Sequence, residues 1–74
     1  MPKLPPLTSK RILQILHQEG FVIDHTTGSH YILYHSARKA RVTVPFHRKA
    51  LPKGTIHTIF KSAGLTAQDL KRYL

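Results

Sequence analysis

The stretch FVIDHTTGSHYILYH, residues 21–35, decides how this chain folds. Phe21 to Thr26 and His30 to His35 are rich in aromatic and β-branched residues, the composition of strands, and Thr27-Gly28-Ser29 between them reads as a tight turn. A basic turn, Ser36 to Lys39, leads on to a third strand from Ala40 to Val44. Pro45 ends that strand, because proline has no N–H to give to a ladder.

Helical signals flank these strands. Met1 to Leu7 holds three prolines and is an extended lead-in. Thr8 or Ser9 caps a first helix, whose apolar stripe is Ile12, Leu13, Ile15 and Leu16 and whose stop is Gly20. After the third strand, Phe46 to Lys53 is a loop containing Pro52. Gly54-Thr55 opens a second helix with Ile56, Ile59, Phe60 and Ala63 on its apolar face, and Gly64 closes it. Thr66 and Asp69 have capping-box spacing, so a short third helix runs to Leu74, held down by Leu65, Leu70 and Leu74. The predicted class is α+β: an α-β-β-β-α unit with a short C-terminal helix and a three-stranded antiparallel sheet covered by helices on one face. Double-stranded-RNA-binding domains share this order of elements.

Seventy-four residues form one domain, 1–74, with no room for a second core. Without cysteine the chain has no disulfide and no thiolate chemistry. No leader or long apolar span is evident, so the expected location is the cytoplasm and no membrane is expected as a partner. Twelve Lys and Arg against three acids give a net charge of +9, which points to a polyanion such as nucleic acid.

Gly28-Ser29-His30 puts a titratable imidazole at the mouth of the sheet, within that positive charge. Metal-free RNA cleavage needs a base to deprotonate the 2′-hydroxyl, a donor for the departing 5′-oxygen, and cations beside the phosphoryl oxygens. Histidine suits the base role, since its reference pKa of about 6.5 leaves both forms accessible. Position favours His30, and Ser29 can bond a phosphate oxygen. The bland alternative, a surface histidine at a strand start, is the commoner case. His25, His35 and His47 are further candidates as acids or RNA contacts, whereas His17 and His57 fall on polar helix faces. The spacing of His25, His30 and His35 matches no zinc signature, and the chain is poor in the oxygen ligands of two-metal nucleases. No metal or other cofactor is expected.

The cations form three groups. Lys10 and Arg11 occupy the first turn of helix one, against the helix dipole unless a phosphate offsets them. Arg38, Lys39 and Arg41 flank the turn between the second and third strands. Arg48, Lys49 and Lys53 crowd the start of helix two, whose free amides suit a phosphate. Of Tyr31 and Tyr34, which alternate across the strand, one is expected in the core and the other is free to stack on a base.

In this order and at this length, Gly20-Phe21, Gly28-Ser29-His30, Val42-Thr43-Val44-Pro45 with His47, Lys53-Gly54-Thr55 and Ala63-Gly64-Leu65 resemble the HicA-type toxins of bacterial and archaeal toxin–antitoxin pairs. The resemblance covers nearly the whole chain. It implies a double-stranded-RNA-binding-domain-like fold and a metal-independent, ribosome-independent endoribonuclease that cleaves messenger RNA and arrests growth. It also implies a HicB-type antitoxin as the protein partner, and His30 as the catalytic histidine. The sequence leaves the oligomeric state open, a monomer alone and a higher-order assembly with the antitoxin being one arrangement. The rival reading is a non-catalytic module that binds structured RNA through the same basic face.

Overall fold

The computed structural model describes residues 6–73, in the order α1 (Ser9–Gln18), β1 (Val22–Thr27), β2 (His30–His35), β3 (Ala40–Pro45), α2 (Lys53–Ser62) and α3 (Ala67–Lys71). The predicted α+β class, strand order and capping box at Thr66 and Asp69 are all present. Met1 to Leu4 and Pro5 of the lead-in, and the anchoring expected from Leu74, lie outside the described residues.

Both long helices end in the same way. The Phe21 N–H donates to the Leu16 carbonyl at 2.9 Å and the Gly20 N–H to the His17 carbonyl at 3.0 Å; Leu65 to Phe60 and Gly64 to Lys61 repeat the pattern at 3.0 Å each. This is the Schellman closure, which requires a left-handed residue, and Gly20 and Gly64 supply it with φ of +102° and +75°. The residue after each glycine, Phe21 or Leu65, drops into the core. Phe21 is therefore the plug that follows α1, and β1 starts one residue later than its composition predicts.

The sheet runs β1-β2-β3, antiparallel throughout. On β3, Val42 and Val44 are buried while Arg41 and Thr43 are exposed, so one face meets the helices and the other is open. The register carries this division to β2: Tyr31 and Leu33 pair with Val44 and Val42 on the helix side, and Ile32 and Tyr34 pair with Thr43 and Arg41 on the open side. His30, opposite Pro45, is also on the open side. Helices α1 and α2 pack over β3, with Ile12, Ile15, Ile56 and Phe60 fully enclosed. Strand β1 is exposed along its whole length, an edge that the helices do not reach.

Both helices start at one end of the sheet and finish at the other. At the near end, the Ser9 hydroxyl donates to the Pro45 carbonyl at 2.6 Å and accepts from the His47 N–H at 2.9 Å, and the Leu51 N–H donates to the Leu7 carbonyl at 2.9 Å. At the far end, His35 Nε2 lies 3.1 Å from the Glu19 carbonyl, and Arg38 donates to the Ala63 carbonyl at 3.2 Å. The N-termini of α1 and α2 therefore share the near end, together with the β1–β2 turn.

Candidate active site

Gly28 takes φ +52° in the two-residue turn that precedes His30, the left-handed conformation glycine adopts most cheaply. Nothing lies within 4 Å of where its Cβ would be, so the turn is open to an incoming group. The Phe46 N–H donates to the Ser29 carbonyl at 2.6 Å, which fastens this turn to the segment leaving β3. Next along that segment, His47 is held through its backbone by the fully buried Ser9. One set of hydrogen bonds thus joins the turn carrying Ser29 and His30, the loop carrying His47, Arg48 and Lys49, and the first turn of α1 with Lys10.

The start of α2 completes the end. Pro52 precedes the helix and no side chain caps it; its first turn has no acid, and Lys53 is its first residue. The space where Gly54 would carry a Cβ is empty, so the first amides of α2 can be approached closely. Ser29, His30, His47, Lys10, Arg48, Lys49 and Lys53 are all exposed.

Charge is divided unequally between the two ends. The chain has three acids. At the far end, Glu19 pairs with Arg38 at 3.8 Å and accepts a short hydrogen bond from the Tyr73 hydroxyl. Asp69 pairs with Arg72 at 3.9 Å. Amide and hydroxyl donors from Thr66 hold its carboxyl below the ordinary carboxylate range. Asp24 sits on β1 between His25, 2.8 Å away, and Arg41, 3.0 Å away. Among the described residues, Lys10, Arg48, Lys49 and Lys53 have no carboxylate partner. The near end is therefore uncompensated positive charge, reinforced by two helix dipoles.

Four of the cations picked from the sequence lie elsewhere or are already engaged. Arg11 turns along α1 to donate to the Tyr73 carbonyl at 2.9 Å and to Gln14 at 3.4 Å, joining the helix to the C-terminal segment. Arg38 caps the end of α2. Lys39 is exposed in the β2–β3 turn with φ +52°, at the far end. Arg41 lies on the open face, its guanidinium 5.2 Å from the centre of the Tyr34 ring.

The other histidines also separate. His35 accepts from the Arg38 N–H through Nδ1 at 3.1 Å and so must donate to Glu19 through Nε2. Its ring is also edge-on to Phe21 at 5.1 Å. Both nitrogens are used in holding the far end together. His17 and His57 are on exposed helix surface. Tyr31 packs against the core, as expected of one of the two tyrosines, but Arg41 covers a face of the other.

Phe46 joins this end without being marked by the strand and cation patterns of the sequence. It is 43% exposed beside the His30 turn, edge-on to Tyr31 at 5.3 Å, and offers the flat apolar surface once expected of a tyrosine. An aromatic residue between a strand-ending proline and a histidine is the one signal that marked it.

The class defined by these features is a small basic α+β domain with the double-stranded-RNA-binding-domain arrangement and an exposed histidine amid unpaired cations. The chain belongs to the HicA toxin family of bacterial toxin–antitoxin systems, whose family model matches residues 9–65. That match runs from the buried Ser9 to Leu65, the plug after α2, and takes in the near-end histidines His30 and His47 and the cations Lys10, Arg48, Lys49 and Lys53. A search of the curated proteins finds no match. No helix among the described residues is long and apolar enough to cross a membrane.

Proposed function

We propose that this toxin is a metal-independent endoribonuclease that cleaves messenger RNA, with His30 as general base. One observation carries the reading: an exposed histidine stands where unpaired cations and two helix N-termini converge. Lys10, Arg48, Lys49, Lys53 and the bare amides of α2 bind the backbone phosphates, Ser29 and His47 bond phosphate oxygens, and Phe46 stacks on a base. His30 takes the proton of the 2′-hydroxyl as its oxygen attacks the adjacent phosphorus. The bond from phosphorus to the 5′-oxygen then breaks, and a protonated donor gives its proton to that leaving oxygen. The surrounding cations stabilise the charge that builds on the phosphoryl oxygens.

Cleavage of this kind needs single-stranded substrate, where the sugar can turn in line, and it needs no ribosome. A HicB-type antitoxin silences the enzyme in the cytoplasm by covering the near end with carboxylates of its own. The test is to incubate purified wild-type and His30→Ala chains with a messenger RNA in excess chelator. Cleavage by the wild type alone, with both proteins giving the same circular dichroism, is the expected result. RNA bound but left intact by the wild type would make the chain a binding module instead.

A further inference from the structure

We infer that His25, oriented by Asp24 on the open face of the sheet, is the acid that protonates the departing 5′-oxygen. This deepens the ribonuclease reading above and rests on it. The register of β1 is the first support. Val22 pairs with Tyr34 and Ile23 with Leu33, but His25 pairs with Ile32, so Asp24 is an extra residue in a β-bulge. In an unbroken strand the two-residue period would put His25 opposite Tyr31, on the helix side. The bulge moves it to the open face, and moves Thr27 there with it, opposite His30. His25 and His30 are thereby diagonal neighbours on one face, about 7–8 Å apart along the sheet, a gap that a phosphodiester can bridge.

The second support is the treatment of the ring. A carboxylate only accepts, so His25 Nδ1 donates to Asp24 at 2.8 Å, which leaves Nε2 for a substrate. Arg41 reaches from β3 to the same Asp24 oxygen at 3.0 Å, lying over Tyr34 on the way. Asp24 is thus held from two sides, and it fixes the imidazole as the carboxylate of a catalytic triad does. The side chains of His25 and Asp24 are 51% and 44% exposed, so RNA can reach the ring. None of the other histidines combines His30's face with an orienting carboxylate. His35 is on the helix side with both nitrogens bonded, His17 and His57 are on the helices, and His47 lies beyond the end of β3.

The step balances without a co-reactant. The 2′-oxygen bonds to phosphorus and its proton passes to His30. The bond to the 5′-oxygen breaks, and that oxygen takes the Nε2 proton of His25, which must enter the reaction protonated. The products are a 2′,3′-cyclic phosphate and a free 5′-hydroxyl.

The experiment compares one RNA oligonucleotide with its twin carrying sulfur in place of the bridging 5′-oxygen at the cleaved bond. A thiolate leaves without an acid. His25→Ala and His25→Gln should slow cleavage of the RNA about 100-fold or more, the usual size of general-acid catalysis, and leave the sulfur twin close to the wild-type rate. Asp24→Asn, at a positioning residue, should show the same selectivity to a smaller degree. His30→Ala should lose both substrates, and His47→Ala should slow both alike. An equal effect of His25 substitution on the two substrates, or none on either, would overturn the inference, as would leaving-group selectivity in His47→Ala. A wild-type chain that cleaves neither substrate would refute the ribonuclease reading itself, and this inference with it. His25 is on an exposed edge strand, so the variants should keep the wild-type melting curve, which is recorded alongside.

Discussion

Replacing Ser9 by alanine removes one oxygen, and the structure says what that oxygen does. Ser9 is fully buried, and its hydroxyl links the Pro45 carbonyl to the His47 N–H. Two hydrogen bonds at about 0.5–1.5 kcal/mol net apiece give a loss of about 1–3 kcal/mol. An orphaned group that stays dry costs about 1–3 kcal/mol. Pro45 is only half-buried and His47 is exposed, however, so water satisfies part of the deficit. The expected destabilisation is therefore about 2 kcal/mol, a fall in Tm of about 8–16 °C for a domain of this size. Urea denaturation followed by circular dichroism measures it, and amide exchange at His47 should speed up beyond what global unfolding explains. RNA affinity should fall as well, because the loop holding His47, Arg48 and Lys49 loses its tether to α1. A loss below about 0.5 kcal/mol, the range of ordinary surface substitutions, would refute the reasoning.

Three further outcomes follow from the same geometry. Gly20→Ala meets both a left-handed φ and a Cβ 2.7 Å from His35 Nε2, so it should cost more than about 2 kcal/mol in a urea titration; Gly28→Ala, with open space around it, should cost about 1 kcal/mol. For single-stranded RNA, Lys49→Ala and Lys53→Ala should each flatten the slope of log affinity against log salt by about 0.7, whereas Lys39→Ala at the far end should leave it unchanged. Hydrogen bonds from Thr66 depress the Asp69 pKa below its ordinary 3.8, so the stability it contributes is fully present above 3.8 and disappears as pH falls through the lower folded value. The difference in urea midpoint between wild type and Asp69→Ala should thus be constant near neutrality and shrink in acid below that point.

Local chemistry made most of the fold legible. The glycines that stop α1 and α2 can be read because a left-handed helix end is a property of a few adjacent positions, whereas Phe21 reads as the first strand residue and only the closed helix end shows it as a core plug. The Thr66 capping box can be read as well. His30 could be read for the same reason, since a strand start after a glycine turn has a predictable exposure. The fate of the arginines could not. Arg11 and Arg38 look like Lys10 and Arg48 in sequence, and only the approach of Tyr73, Glu19 and the end of α2 turns them into internal ties. The bulge was hidden as well. Alternation along residues 22–27 has no mark for an extra residue, so His25 could not be assigned to His30's face.

The distribution of carboxylates ties the fold to the activity proposed for it. A chain at +9 repels itself, and three acids are too few to neutralise it. Two are placed where they hold the far end together, one through Arg38 and Tyr73, the other through the α3 cap and Arg72. The third stands in the bulge beside His25. None is spent on the near end, although Lys10 and Lys53 sit there in first helical turns, where the helix dipole disfavours a cation. A fold optimised for its own stability would put Asp or Glu at those positions. Leaving lysine there makes sense if a phosphate chain supplies the missing negative charge. It also means that any protein able to silence this surface has to bring carboxylates to it, in competition with RNA for the same cations.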